Sequence, residues 1–380
     1  MPSQESYSDA LSRVIGEVVA PGAAEVDAVG SFPRKQIDAL ASAGLLALTV
    51  PTEFGGGGAG LREAAGVVRE LGAVCGSTAM VVTMHYAATA ALAAGGVKDT
   101  LTEIAAGPHL STLAFSESGS RSHFWAPLST ATLDADGNVR LDASKSWVTS
   151  AGQASSYVWS SRPLAAEGPM TLWLVPGGAD GLTVAGAFDG LGLRGNASAP
   201  MTATRVCVPR GAMIGDDGAG LDVSLAAVLP FFLICSAAMS AGLMRRLAEE
   251  TAAHLQRTHL AHLGQSLAQQ VQPRAQLARL RIEADRTWGL IEETLSAVEA
   301  GRADAQLLVL EVKAAAGEAA ADAADLALRA CGGSAFRKES PVERLFRDSR
   351  AARVMAPTTE ALHDFIGRAL CGLPLLGDVA

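Results

Sequence analysis

"TATLDADGNVRLDASKSWVT", residues 130–149, is two runs of alternating apolar and polar residues set around Asp136-Gly137. Alternation with period two puts successive side chains on opposite faces of a strand, and Asp-Gly takes the positive φ values that a tight hairpin turn requires. The stretch reads as a β-hairpin. Three neighbours extend it: "SSYVWSSRP" (155–163), "MTLWLVPG" (170–177) and "MTATRVCVP" (201–209) are short strands bounded by Pro, Gly and Ser. Residues 111–217 are therefore expected to form an all-β module.

Both flanks have a different grammar. In residues 1–110, "FPRKQIDALASAGLLAL" (32–48) spaces Ile37, Leu40, Leu45 and Leu46 as a helix would, and "LREAAGVVRELGAVCGSTAMVVTMHYAATAALAA" (61–94) continues the pattern. Between them "VPTEFGGGGAG" (50–60) is expected to be a flexible loop, since four consecutive glycines disfavour a helix. No strand precedes it, so it is not a dinucleotide fingerprint. Residues 218–380 carry "AGLMRRLAEETAAHLQRTHLAHL" (241–263) and "DAQLLVLEVKAAAGEAAADAADLALRAC" (304–331), Ala- and Leu-rich helices long enough for an antiparallel bundle. Gly332 and Gly333 are placed to cap the second of them. The fold class is α+β, mainly α, in three domains: helices (1–110), a β domain (111–217) and a helical bundle (218–380).

Composition narrows the function. Of 380 residues, 49% are hydrophobic and 18% charged, which suits a packed core. The formal net charge of −9 and the lack of a basic stripe argue against nucleic acid. Cys75, Cys207, Cys235, Cys331 and Cys371 stand far apart with no CxxC pair, which reads as free thiols in a reducing, cytoplasmic setting. The N-terminus shows no signal-peptide pattern. The apolar run "SLAAVLPFFLICSAAMSAGLM" (224–244) nears membrane length, but Pro230 interrupts it and Ser and Gly dilute it, so a buried helix is expected and no membrane association.

Candidate chemistry is sparse. No GxSxG elbow is present. His254, His259 and His262 are read on one helix, but no carboxylate or Cys set completes a metal site, so none is assigned. His85, in an apolar helix, reads as a satisfied core histidine ahead of a substrate contact. "AFSESGSRSHFW" (114–125) and "SWVTSAG" (146–152) each gather hydroxyls and backbone donors beside a tryptophan. That suits a planar, polar-edged cofactor as well as it suits ordinary turns.

With these pieces in order, the chain resembles the acyl-CoA dehydrogenase family of flavoproteins. "SAGLLALTVPTEFGGGGAGLRE" (42–63) is similar to the family's P-E-x-x-G-G loop, "AFSESGSRS" (114–122) to T-E-P-x-A-G-S-D, and "KSWVTSAGQASSYVWSSR" (145–162) to K-x-W-I-T-N-A. "FDGLGLRGNASAPMTATRVCVPRGAMIG" (188–215) and "ACGGSAFRKESPVERLFRDSRAARVM" (330–355) follow two later family motifs. The resemblance implies an N-terminal helical domain, a central β-barrel-like domain and a C-terminal four-helix bundle. It implies FAD, with Ser116 and Ser122 along the flavin and Trp147 and Thr149 against its ring and N5 edge. It further implies Arg257, Gly332, Gly333 and Thr359 near pyrophosphate, partly across a subunit boundary, hence a homodimer or homotetramer.

The departures concern the catalytic base, which stays unassigned. Where the family usually has the glutamate of Y-E-G-T, "RVMAPTTEAL" (353–362) has Pro357, and the alternative position on the first bundle helix is Phe232. Glu360 follows Thr359, where a first-turn carboxylate is favoured by the helix dipole, and the structural reading is preferred for it. Arg329 replaces the glutamine before F-G-G, and Leu260-Ala261 replaces the F-G after the arginine. Three functions follow in order. The first is oxidation of a small-molecule substrate, an acyl thioester, at the α,β bond with a non-standard base, passing electrons to an acceptor. The second is a monooxygenase or oxidase supplied with reduced flavin by a reductase. The third is a non-catalytic subunit of a heteromeric dehydrogenase.

Overall fold

A computed structural model describes residues 5–120 and 123–376. The chain forms two compact units, one of residues 1–67, 80–190 and 194–232, the other of residues 68–79, 191–193 and 233–380. The N-terminal helices are α1 (Tyr7–Val14), α2 (Ala20–Val29), α3 (Arg34–Ser42), α4 (Leu61–Gly72), α5 (Gly76–Ala94) and α6 (Lys98–Ala106). Strands follow as β1 (Ser111–Ala114), β2 (Thr130–Leu133), β3 (Val139–Val148), β4 (Ser156–Ser161), β5 (Thr171–Pro176), β6 (Leu182–Val184), β7 (Ala199–Val208) and β8 (Met213–Ile214). Then come α7 (Gly220–Val223), α8 (Leu229–Arg257), a small hairpin of β9 (His259–Leu260) and β10 (Gln265–Ser266), α9 (Val271–Glu299) and α10 (Ala305–Cys331). The chain closes with α11 (Pro341–Ser349), α12 (Ala351–Val354) and α13 (Thr359–Leu370).

In the first unit the expected hairpin forms, with Thr130 opposite Asp142 and Leu133 opposite Val139. Its turn is closed by Asp134, whose Oδ1 accepts the N–H groups of Asp136 (3.0 Å) and Asn138 (2.9 Å), and Gly137 takes φ +81°. The β domain is two four-stranded sheets, ordered β1-β4-β5-β8 and β2-β3-β7-β6. They share a core in which Tyr157, Trp159 and Trp173 from one sheet meet Val139, Leu141 and Met201 from the other.

Two details of the N-terminal reading change. The helix expected through residue 48 stops at Ser42, because Gly44 turns left-handed at φ +73° and Leu45 donates its N–H back to Leu40 O at 2.9 Å. Leu45 and Leu46 remain buried, but beyond the helix end. The glycine run is not a flexible loop. Gly57, Gly58 and Ala59 donate to the carbonyls of Ala47, Val50 and Leu48 at 2.9–3.0 Å. A Cβ at Gly57 would lie 2.7 Å from Leu48 O, so glycine is what lets the two backbones touch.

α7, a widened π-helical turn (Ser224–Val228) and α8 form one continuous helical run, Gly220–Arg257. The wide turn lies just ahead of Pro230, which has no N–H to give to the preceding turn. This run is long and apolar enough to cross a membrane, yet 61% of its most apolar window is buried in protein. It is a core helix. In the second unit Leu243, Met244 and Leu247 of α8 pack with Leu280 of α9 and with alanines 320, 324 and 327 of α10. Close backbone approach there depends on Gly72, where a Cβ would sit 2.7 Å from Met239 O, and on Gly242, where one would collide with Arg69 O.

Candidate functional site

The first group of candidate residues lies in the β domain. β3 and β7 slip register between Lys145 and Val148, and in that bulge Trp147 adopts φ +55° with its side chain 69% exposed. Trp125, Trp159 and Trp173 are all buried, so this indole is held outward against both its hydrophobicity and its backbone preference. Thr149, two residues on, is buried. Its Oγ1 lies 3.0 Å from Ser198 Oγ, and its carbonyl accepts the Thr112 hydroxyl at 3.0 Å. Ser150 also takes a positive φ, +61°, and its amide is fixed to Asn196 O at 2.9 Å. Its buried hydroxyl has no partner among the described residues.

Ala197, at φ +50°, completes a rim of three strained non-glycine residues. Each such residue costs about 1–3 kcal/mol and persists only where the surroundings enforce it. Ser116 is half-buried past the end of β1, its carbonyl accepting Ser146 N–H at 2.9 Å. Ser122 lies outside the described residues. Ser150 lies inside the quoted "SWVTSAG" without having been singled out, and Asn196 and Ser198 were missed from sequence; for these two the signal was the "NAS" after Arg194-Gly195, in a motif already aligned.

Beneath this rim is a buried ion pair. Lys145 Nζ meets Glu117 Oε1 at 2.5 Å and donates to Ser160 O and Oγ at 2.7 and 2.8 Å. Burial pulls the Lys145 pKa down to about 8 against the pull of Glu117. Burial works to raise the Glu117 pKa, but Lys145, Ser129 and the Leu128 amide together hold it below the usual carboxylate value.

The second group lies wholly in the helical unit. A cleft of about 550 Å³ is lined by Glu250, His254, Arg257, Cys331, Ser334 and Arg337, among others. Gly332 ends α10 at φ +61°, ψ −149°, a conformation open essentially to glycine alone. Gly333 has no such constraint, and the segment Gly332–Phe336 is a 3₁₀ turn. Arg257 is exposed in the last turn of α8, and its charge, after burial, helps depress the His254 pKa. α11 starts at the same cleft with Ser340 as its N-cap and Pro341 in the first turn. Two arginines and a helix start suit a phosphate group, against the two carboxylates, Glu250 and Glu339, that also line the cleft.

Thr359 stands at the start of α13, 2% exposed, with a buried hydroxyl that has no partner among the described residues. Thr358 is the N-cap and accepts Ala361 N–H at 3.3 Å. Glu360 is exposed in the first turn, as expected of a helix-starting carboxylate. Arg329 sits 3.4 Å from Asp325 on its own helix.

The three-histidine helix is corrected: α8 stops at Arg257, His259 lies in β9 and His262 in the hairpin turn that Gly264 closes at φ +62°. His85 is fully buried. It accepts Ser111 N–H at Nδ1 (3.1 Å), which leaves Nε2 to donate to Leu46 O (3.0 Å). Desolvation takes its pKa to about 4, so it is a neutral structural histidine.

Taken unit by unit, the orphaned Ser150 hydroxyl and the outward indole of the first suit a planar, polar-edged ring such as a flavin, and the arginine-lined cleft and orphaned Thr359 hydroxyl of the second suit phosphate. Family profiles agree. The acyl-CoA dehydrogenase N-terminal, middle and C-terminal domains match residues 1–101, 112–206 and 218–371 in turn. The human mitochondrial short-chain specific acyl-CoA dehydrogenase is 28% identical over 90% of this chain and 83% of its own. Butyryl-CoA dehydrogenase of Megasphaera elsdenii superposes with a TM-score of 0.87 at 20% identity, over 98% of this chain and all of the other. FkbI, described as serving biosynthesis of a methoxymalonyl extender unit, does so with a TM-score of 0.84 at 25% identity, over 97% and 100%. Three consecutive domain matches spanning the described fold leave one conclusion: the chain belongs to the acyl-CoA dehydrogenase family of FAD-dependent oxidoreductases.

Proposed function

We propose that the chain oxidises an acyl thioester at its α,β carbon–carbon bond, using a base other than the family's usual glutamate. The strained rim around Trp147 is the observation that carries this reading, because nothing in apolar packing accounts for an indole 69% exposed beside buried, rotatable hydroxyls. Bound FAD supplies an acceptor for two electrons and a hydrogen. On this reading Trp147 packs against the ring, Thr149 and Ser150 offer hydroxyls to its edge, and Thr359, Arg257 and the Gly332–Gly333 backbone hold phosphates. A cofactor shared between copies makes a homodimer or homotetramer the expected form, and residues 1–110, 111–217 and 218–380 its domains.

The base is the open element. Pro357 and Phe232, at the two positions where the family places it, are both buried and apolar. Glu360 is exposed in a helix start, which favours a capping role and leaves the proton to another group, the substrate's own included. The same two apolar positions favour a second reading, a monooxygenase fed with reduced flavin, which removes no α-proton. A non-catalytic subunit ranks third.

The test is an anaerobic absorbance titration of the FAD-loaded protein with acyl-CoA and acyl-carrier thioesters. Bleaching of the flavin band is expected. No bleaching with any thioester, followed by oxygen-dependent substrate hydroxylation after chemical reduction, would replace the first reading with the second.

A further inference from the structure

Lys313 is a charged group with no part in the site described above. It is 1% exposed on α10, in the run Lys313–Gly317 of otherwise small residues. Its Nζ donates to three backbone carbonyls: Ala352 (2.9 Å), Met355 (3.0 Å) and Pro357 (2.7 Å). An ammonium has three N–H groups, and all three are used. The carbonyls are those that secondary structure leaves bare. α12 is four residues long, so Ala352 is among its unpaired C-terminal carbonyls, and Pro357 precedes the N-cap of α13. One side-chain atom thus ends one helix and sets the start of the next, two residues before the orphaned hydroxyl of Thr359.

We propose that Lys313 is the positioning residue of the phosphate-binding turn: by clamping carbonyls 352, 355 and 357 it fixes where the Thr359 hydroxyl is presented, and the clamp requires the ammonium form. The inference rests on the FAD reading above. Its chemistry is particular to an ammonium. A planar guanidinium cannot converge on three carbonyls around one atom, and a neutral amine has two N–H groups and a lone pair turned against the third oxygen.

Burial brings the Lys313 pKa down to about 7, with Glu360 on α13 pulling the other way. Glu360 is the charge that acts on Nζ among the described residues; on α12, Arg353 is tied at 3.0 Å to Glu318 of α10, and no group of α9 or α11 acts on it. The folded pKa lies below the unfolded value of 10.5, so between the two the unfolded chain holds more protons. The contribution of this group to global stability therefore rises with pH across that window, while the clamp loosens. Stability and cofactor affinity are expected to move in opposite directions, which a purely structural lysine does not produce.

The experiment strips the flavin and titrates the full-length apoprotein with FAD from pH 6 to 9, following flavin fluorescence, with melting temperature recorded alongside. Wild type is expected to bind FAD at least fivefold more weakly at pH 8.5 than at pH 6. Lys313→Met binds tenfold or more weakly at pH 6, with no pH step. Lys313→Arg folds and keeps its charge, yet also loses the step. Glu360→Gln, which removes the charge favouring the ammonium, moves the midpoint to lower pH. A wild-type pH step that survives in Lys313→Met or Lys313→Arg overturns the inference, as does an unmoved midpoint in Glu360→Gln. Failure of folded wild type to bind FAD at any pH would instead sink the flavin reading, and this inference with it.

Discussion

Replacing Lys145 by methionine is the sharpest test of how the β domain holds its candidate site. Lys145 belongs to β3 in one sheet, while its partners Glu117 and Ser160 belong to the other, Ser160 on β4 and Glu117 just past β1. The pair also forms a backbone bridge between the sheets. Glu117 is satisfied on its far side by the amides of Leu128 (2.5 Å) and Ser129 (3.0 Å) and by the Ser129 hydroxyl. Lys145→Met leaves that carboxylate, 2% exposed, without its cation, and leaves Ser160 O and Oγ without their donor. Removing one partner of a buried pair costs about 3–5 kcal/mol.

At about 2–4 °C per kcal/mol for a large domain, the melting temperature should fall by roughly 6–20 °C. Thermal unfolding is followed by tryptophan fluorescence at fixed protein and FAD concentrations, because bound ligand shifts the midpoint by mass action. The double variant Lys145→Met/Glu117→Gln, which has no charge left to desolvate and keeps an acceptor for the Leu128 and Ser129 donors, should recover most of the loss. A single-variant loss below about 1 kcal/mol, or a double variant no better than the single, would refute the argument that uncompensated charge is what matters.

Gly242→Ala puts a methyl group against Arg69 O and 3.0 Å from Ala73 N, and since backbone cannot step aside it should cost at least about 1–3 kcal/mol, read as a lower denaturation midpoint. Thr359→Val fills the same space without the hydroxyl. If that hydroxyl faces phosphate, FAD affinity should drop about fivefold to tenfold with little change in apoprotein stability, by about 1 kcal/mol of lost hydrogen bonding. Asp217 accepts the amides of Leu164, Ala165 and Ala166 at 2.8–2.9 Å and the Thr171 hydroxyl at 2.5 Å, which holds its pKa at about 2 against burial. Its folded pKa is below the unfolded 3.8, so its contribution is full above that value and is lost as pH falls through about 2. Asp217→Asn should lower the melting temperature at pH 7, with the difference shrinking as pH falls toward 2 and vanishing only below it.

Much of this was legible in the residues. Asp136-Gly137 and its flanking alternation announced the hairpin, because side-chain period and turn conformation are local properties. Trp147 and Thr149 were singled out as candidates through a motif, and the structure brings them to one rim with Ser198 and Ser150. The misreadings share one cause. Leu45 and Leu46 continue an apolar spacing that helix and buried turn satisfy alike, and only the left-handed Gly44 decides between them. The glycine run looked mobile because composition records the absence of side chains, not the carbonyls waiting on the facing strand of chain.

Sequence by itself determined the order of helices, strands and helices, the presence of the hairpin and the family to which the chain belongs. Those rest on periodicity, turn chemistry and motif order, all properties of neighbouring residues. Tertiary structure decided what no window contains: that His85 spends both nitrogens on backbone 39 and 26 residues away, that Lys145 ties the two sheets together, and that Lys313 closes the turn before Thr359. Each of these is a buried polar group whose state is set by distant partners, because desolvation leaves it no stable alternative to finding them.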